Sequence, residues 1–124
     1  MRKSKFYHFD IPIERTKLYD IPALERARQI IETHTSEHFY ISTLAEKVGL
    51  NEFKLKLGFR ELFKTSPYQY LIHLRLEQSR TLLEDTDLTI NQIADSVGFK
   101  SYNGFSTSFK KLYKISPTHY RKGQ

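Results

Sequence analysis

Phe59-Arg60-Glu61-Leu62-Phe63-Lys64-Thr65-Ser66-Pro67-Tyr68-Gln69-Tyr70 returns fifty residues later as Phe109-Lys110-Lys111-Leu112-Tyr113-Lys114-Ile115-Ser116-Pro117-Thr118-His119-Tyr120. Each copy closes one amphipathic helix and opens another, because serine caps a helix start and proline suits its first turn. Upstream, Leu44-Ala45-Glu46-Lys47-Val48-Gly49-Leu50 matches Ile93-Ala94-Asp95-Ser96-Val97-Gly98-Phe99 at an offset of 49. The one-residue difference between the offsets makes Lys100 an extra turn residue. One unit therefore occurs twice: a short helix, a glycine turn, a longer helix and a Ser-Pro restart. A short helix ending in Val-Gly before a second amphipathic helix is the helix-turn-helix pattern. The small Ala45 and Ala94 let the two helices approach closely, and each glycine accepts the left-handed conformation that turns the chain.

Working outward, Leu24, Ala27 and Ile31 recur at helical spacing from Pro22 to about Thr35-Ser36. A helix over about 41–48 carries Leu44, Ala45 and Val48 on one face, though Tyr40 stands where its counterpart has the capping Thr89. Asn51 caps the next helix, which runs to about Lys64 with Leu55, Phe59, Leu62 and Phe63 inward. Gly58 lies mid-helix at a cost of about 1 kcal/mol relative to alanine, and it reads as room for close helix packing. Ser66 and Gln69 form a capping box that opens a long helix, about 67–86, with Leu71, Leu74, Gln78 or Ser79, and Leu82 inward. Thr89 and Gln92 form a second box. Ser101 caps a helix over about 101–114 whose inner face is Phe105, Phe109 and Leu112. No stretch shows the alternation of a half-buried strand. Residues 1–20, with Pro12 and no clear period, read as an N-terminal arm or the remnant of a linker.

Twenty Lys and Arg against fourteen Asp and Glu give a net charge of +6, which favours a polyanion. No cysteine is present, so there is no disulfide, thiol nucleophile or thiolate zinc site. Of the five histidines, His8, His34, His38, His73 and His119, only His34 and His38 share the i, i+4 spacing of metal ligands. No HExxH, nucleophile elbow, phosphate loop or Rossmann glycine pattern accompanies them. We read the chain as no enzyme, without metal or cofactor. A helical interaction module and a basic membrane-surface protein are the alternatives to nucleic-acid binding. Most of the aromatic residues fall on inner faces, where they build a core, and no apolar run is long enough to span a membrane.

On the strength of the repeat, and of Asp87-Leu88-Thr89-Ile90 with Ile93–Phe99 and Phe109–Pro117, residues 22–122 resemble the DNA-binding domain of the AraC/XylS family of transcription regulators. Leu76–Tyr120 is the most specific part. The resemblance implies an all-α fold of seven helices, in which two helix-turn-helix subdomains are joined by a long linker helix. Here the domain would cover 21–124, with the first unit at about 41–64, the linker at about 67–86 and the second unit at about 90–114. Bacterial transcription control, a cytoplasmic and nucleoid location, and RNA polymerase as a further partner are implied by the resemblance alone. Family members usually carry a further sensing or dimerising domain, so the sequence reads either as a stand-alone regulator or as the C-terminal piece of a larger one.

With the apolar faces turned inward, Glu52, Phe53, Lys56, Leu57 and Arg60 face outward on the first candidate recognition helix. Tyr102, Asn103, Ser106, Thr107 and Lys110 do so on the second. The family's base-contacting positions fall on Phe53, Lys56 and Leu57, and on Tyr102, Asn103, Ser106 and Thr107. Lysine can donate to guanine and asparagine can pair bidentately with adenine, whereas Phe53 and Leu57 cannot hydrogen-bond bases: they could touch thymine methyls, or Phe53 could pack against its own domain. Sharper readout by the second unit is the expectation. Arg60 and Lys110 occupy equivalent places and are expected on phosphates, with Lys54, Lys64, Lys111, Lys114 and Arg121 as further candidates. Six or more such contacts would weaken binding ~10³-fold between 50 and 200 mM salt. A twenty-residue linker helix of about 30 Å approaches the ~34 Å helical repeat of B-DNA, so one monomer suffices for two successive major-groove segments.

Overall fold

The computed structural model describes residues 15–123, so the first fourteen residues of the expected arm lie outside it. Within that span lie a 3-10 turn, Leu18–Asp20, and seven helices: α1 (Ile21–Thr33), α2 (Ile41–Val48), α3 (Glu52–Phe63), α4 (Pro67–Asp85), α5 (Ile90–Val97), α6 (Tyr102–Tyr113) and α7 (Pro117–Lys122). The described residues contain no strand. The chain forms two units. The first holds the residues up to His34 with Phe39–Tyr70, and the second holds Thr35–His38 with the residues from Leu71 onward.

In the first unit, α2 starts at Tyr40 without a side-chain cap and stops at Gly49, whose φ of +77° turns the chain. Asn51 then starts α3 by accepting the Lys54 N–H at 2.7 Å. The core joins Leu24, Ala27 and Ile31 of α1, Leu44, Ala45 and Val48 of α2, and Leu55, Phe59, Leu62 and Phe63 of α3. The inner faces expected for these helices are therefore observed. Phe59 is fully buried, and edge-on rings flank it: Phe63 at 4.6 Å and Tyr70 at 5.7 Å. The Tyr70 hydroxyl donates to Glu32 of α1. Burial first, then that bond and the carboxylate charge, push the phenol pKa up, so Tyr70 stays a donor. Arg28 bonds both Glu25 and Glu32 and lies over the Phe63 ring.

Gly58 is buried against α1, and a Cβ placed on it would fall 2.5 Å from Leu24 Cδ1. Close packing is thus the reason for a glycine inside a helix. Gly58→Val is expected to destabilise the first unit by about 1–3 kcal/mol, the usual effect of overpacking a filled core. A urea titration followed by circular dichroism measures it.

In the second unit the capping box is present in full: Thr89 accepts the Gln92 N–H at 3.1 Å, and the Gln92 side chain accepts the Thr89 N–H at 2.9 Å. Helix α5 ends at Gly98 with φ +109°. Ser101 starts α6 by accepting the Gly104 N–H at 3.0 Å, with Lys100 in the longer turn as expected. Leu76, Leu83, Ile93, Ala94, Phe105 and Phe109 form the core. A string of rings runs Phe99, Phe105, Phe109, Tyr113, with neighbouring centroids 4.6–5.7 Å apart. The Tyr120 hydroxyl donates to Glu84 of α4, and this bond leads the effects that raise its pKa. The tyrosine latch of the first unit is repeated in the second.

Two inner-face expectations need correction. Leu112 is 37% exposed, while its counterpart Leu62 is 1% exposed. In the first unit α1 packs on α3, and Leu62 and its neighbour Phe63 are both buried. In the second unit Tyr113 joins the rings, 4.6 Å from Phe109, while Leu112 stays at the surface. On α4, Leu71, Arg75, Leu76, Ser79 and Leu83 are buried, whereas Leu74 and Leu82 are only half-buried and Gln78 is exposed. Arg75 is the unexpected member. Its Nε donates to the Thr35 carbonyl at 2.6 Å and its Nη2 to the Glu37 carbonyl at 2.8 Å. The segment 35–38 is thereby anchored on α4. An apolar-face reading has no means of finding a buried guanidinium that serves backbone oxygens.

Candidate nucleic-acid interface

Helix α3 buries one side and leaves the other open. Phe53 is 62% exposed, Lys56, Arg60 and Lys64 are exposed, and Leu57 is half-buried. Lys56 Nζ lies 4.0 Å from Glu52 one turn earlier, an exposed pair of small energetic weight that leaves the ammonium available to an anion. Lys64 ends α3 in the left-handed region at φ +64°. Lys54 turns away from this open side, with its Nζ 3.9 Å from Asp20 and 5.9 Å from the Tyr19 ring.

Helix α6 has the same division. Tyr102 is 41% exposed; Asn103, Thr107, Lys110 and Lys111 are exposed and Ser106 is half-buried. The residues singled out from the sequence on each helix thus share its solvent side, while Phe59 and Phe109 hold the opposite sides in the two cores. Lys114 ends α6 at φ +73°, and its Nζ donates to the Lys111 carbonyl at 3.2 Å.

Arg121 behaves differently. Its Nε donates to the Leu83 carbonyl at 3.2 Å, its Nη2 to the Thr86 carbonyl at 3.2 Å and the Leu82 carbonyl at 3.5 Å, and its Nη1 to the Leu88 carbonyl. The guanidinium caps the end of α4, where the last carbonyls lack helical partners, instead of standing free for a phosphate. Arg121→Ala is expected to lower stability by about 1.5–3 kcal/mol, the range for hydrogen bonds to a charged group. The salt dependence of any DNA binding is expected to stay unchanged. A thermal melt and a salt titration of the same variant check both halves.

The sequence reading missed a cluster beside α3. Glu61 accepts the backbone N–H groups of Arg15 at 3.1 Å and Thr16 at 2.7 Å, as well as the Thr16 hydroxyl. The Arg15 guanidinium carbon stands 5.5 Å from the centroid of the Phe53 ring. The available signal was the mismatch in the repeat, where Glu61 aligns with Lys111.

Among the described residues, no three His, Asp or Glu side chains come together in a way that could hold a metal. His34, one of the spaced pair, has its Nδ1 2.9 Å from the Ile30 carbonyl of its own helix. No helix among the described residues is long and apolar enough to cross a membrane.

Two helix pairs, each with a glycine turn and a capped second helix open on one side, define a tandem helix-turn-helix protein. The model of the helix-turn-helix domain family matches residues 44–123, and the chain belongs to that family, in its AraC/XylS branch. The HTH-type transcriptional regulator AlkR of Acinetobacter baylyi is 32% identical over 101 residues, which are 82% of this chain and 33% of AlkR. The Msm operon regulatory protein of Streptococcus mutans is 30% identical over 115 residues, 93% of this chain and 40% of that protein. The chain therefore spans between a third and two-fifths of the length of these relatives. Among solved structures, the C-terminal domain of AraT, a response regulator from Geobacillus stearothermophilus, superposes with a TM-score of 0.79. It is 31% identical and covers 90% of this chain and 89% of its own. The DNA-binding domain of AdpA, solved in complex with a target DNA, gives a TM-score of 0.77 at 29% identity, covering 82% of this chain and 91% of its own.

Proposed function

We propose that the chain binds duplex DNA sequence-specifically to regulate transcription, with α3 and α6 as the recognition helices. The observation that carries this reading is the twofold occurrence of one arrangement: a helix fixed from behind by a buried phenylalanine and its cap, with polar and cationic side chains on the open side. Lys56, with Phe53 and Leu57, would meet bases from α3. Tyr102, Asn103, Ser106 and Thr107 would do so from α6. Arg60, Lys64, Lys110 and Lys111 would bind phosphates, which position a protein without reading sequence. Residues 21–124 would make up the DNA-binding domain. A bacterial cytoplasmic location and contact with RNA polymerase follow only from the kinship.

Helix α4, nineteen residues long, measures about 28 Å at 1.5 Å per residue. That length is close to the ~34 Å repeat of the duplex. Selection of bound sites from a random duplex pool tests the reading, with anionic vesicles as the competing polyanion. An asymmetric motif whose two parts lie one helical turn apart is the expected outcome. Recovery of no motif, or vesicle binding as tight as duplex binding, overturns it. Within a selected site, Asn103→Ala is expected to lose about 1–3 kcal/mol of discrimination at one adenine. Leu57→Ala, which removes no hydrogen bond, is expected to lose less. Affinities for all four bases at each position give the comparison.

A further inference from the structure

We propose that Arg15 is a further DNA-contacting residue, a phosphate ligand held beside α3 by Glu61 as its positioning residue. This rests on the reading of α3 as a recognition helix and adds a cation that the helix does not itself carry. An acidic side chain on a helix meant for a polyanion is unfavourable, and the second unit has Lys111 at the equivalent place. The contacts of Glu61 resolve the conflict. Its carboxylate accepts the N–H groups of Arg15 and Thr16 and the Thr16 hydroxyl, and so ties the segment before α1 onto α3. The salt bridge from Lys54 to Asp20, 3.9 Å long, fastens the other end of the same segment.

Held in this way, the Arg15 guanidinium lies over the exposed Phe53 ring at 5.5 Å and pairs with no carboxylate among the described residues. Stacking on a ring leaves the N–H fork of an arginine free for a phosphate, which it can take bidentately. Position 61 thus delivers a positive charge indirectly, through Arg15, where position 111 delivers one directly.

The test is the slope of log K against log salt for the whole chain on its selected duplex. Each lost phosphate contact lowers that slope by about 1. Arg15→Ala is expected to lower it by about 1, and Arg15→Lys to restore most of the loss. Glu61→Ala is expected to lower it too, although it removes a negative charge, and to add nothing in the Arg15→Ala background. An unchanged slope for Arg15→Ala overturns the inference, as does tighter binding by Glu61→Ala in both backgrounds. If Glu61→Ala fails to fold by circular dichroism, Glu61→Gln supplies the same comparison. Failure of the unmodified chain to bind duplex with any salt dependence would instead remove the DNA-binding reading itself.

Discussion

Gly98→Ala is expected to destabilise the second unit by about 3–5 kcal/mol, whereas Gly49→Ala, at the equivalent turn, is expected to cost about 1–2 kcal/mol. Both glycines are left-handed, and that conformation costs an ordinary residue about 1–2 kcal/mol. Gly49 has open space around it: a Cβ there meets nothing within 4 Å. At Gly98 the φ is +109°, and a Cβ would fall 2.8 Å from the Arg75 guanidinium and 3.0 Å from the Ser36 Cα. The backbone of Ser36 gives way poorly, and Arg75 can retreat only by loosening its bonds to the Thr35 and Glu37 carbonyls. Hydrogen bonds from a charged donor are worth about 1.5–3 kcal/mol, so strain, overlap and lost bonds add in the same direction. Small domains are stable by only about 5–15 kcal/mol in total. Hydrogen exchange resolves the effect by element. In Gly98→Ala the amides of α5 and α6 should lose protection while those of α2 and α3 keep it. Equal loss in the two variants would show that the packing around Arg75 does not matter.

What the sequence revealed, and what it concealed, follows from the range of the interactions involved. The caps at Asn51, Thr89 and Ser101 and the turns at Gly49 and Gly98 act within a few residues, and the structure has each where local chemistry puts it. Phe59 and Phe109 are found at the centres of their cores because helical periodicity alone aims them inward. What it concealed lies where a partner is distant in the chain. Arg121 is drawn to carbonyls 33 to 39 residues earlier. Arg75 reaches back to Thr35 and Glu37, and Glu61 to Arg15 and Thr16. In each of these three cases a charged side chain bonds backbone groups, and backbone groups are present at every position. No residue type in the sequence marks the partner.

Those corrections change the number of cations available to DNA, and with it the expected salt response. Arg121 leaves the set because its guanidinium caps α4, Lys54 because it pairs with Asp20 and Lys114 because its ammonium donates to the Lys111 carbonyl, and Arg15 enters it. Arg60, Lys64, Lys110, Lys111 and Arg15 would then neutralise five phosphates in place of six or more. At about 0.9 ions released per contact, affinity should fall about 500-fold between 50 and 200 mM salt. Should Arg15 take no part, the fall is about 150-fold, and Arg60→Ala or Lys110→Ala should each reduce the fall by a further factor of about 3.5. A similar reduction in Arg121→Ala would mean that its carbonyl bonds are given up on binding. Fluorescence anisotropy on one selected duplex, at four or more salt concentrations, separates these cases, because slopes depend on the number of contacts and not on the sequence read. The residues proposed to read bases should leave the slope alone: Asn103→Ala is expected to weaken binding by the same factor at every salt concentration. A change of slope in Asn103→Ala would mean that α6 meets the backbone, not the bases, at that position.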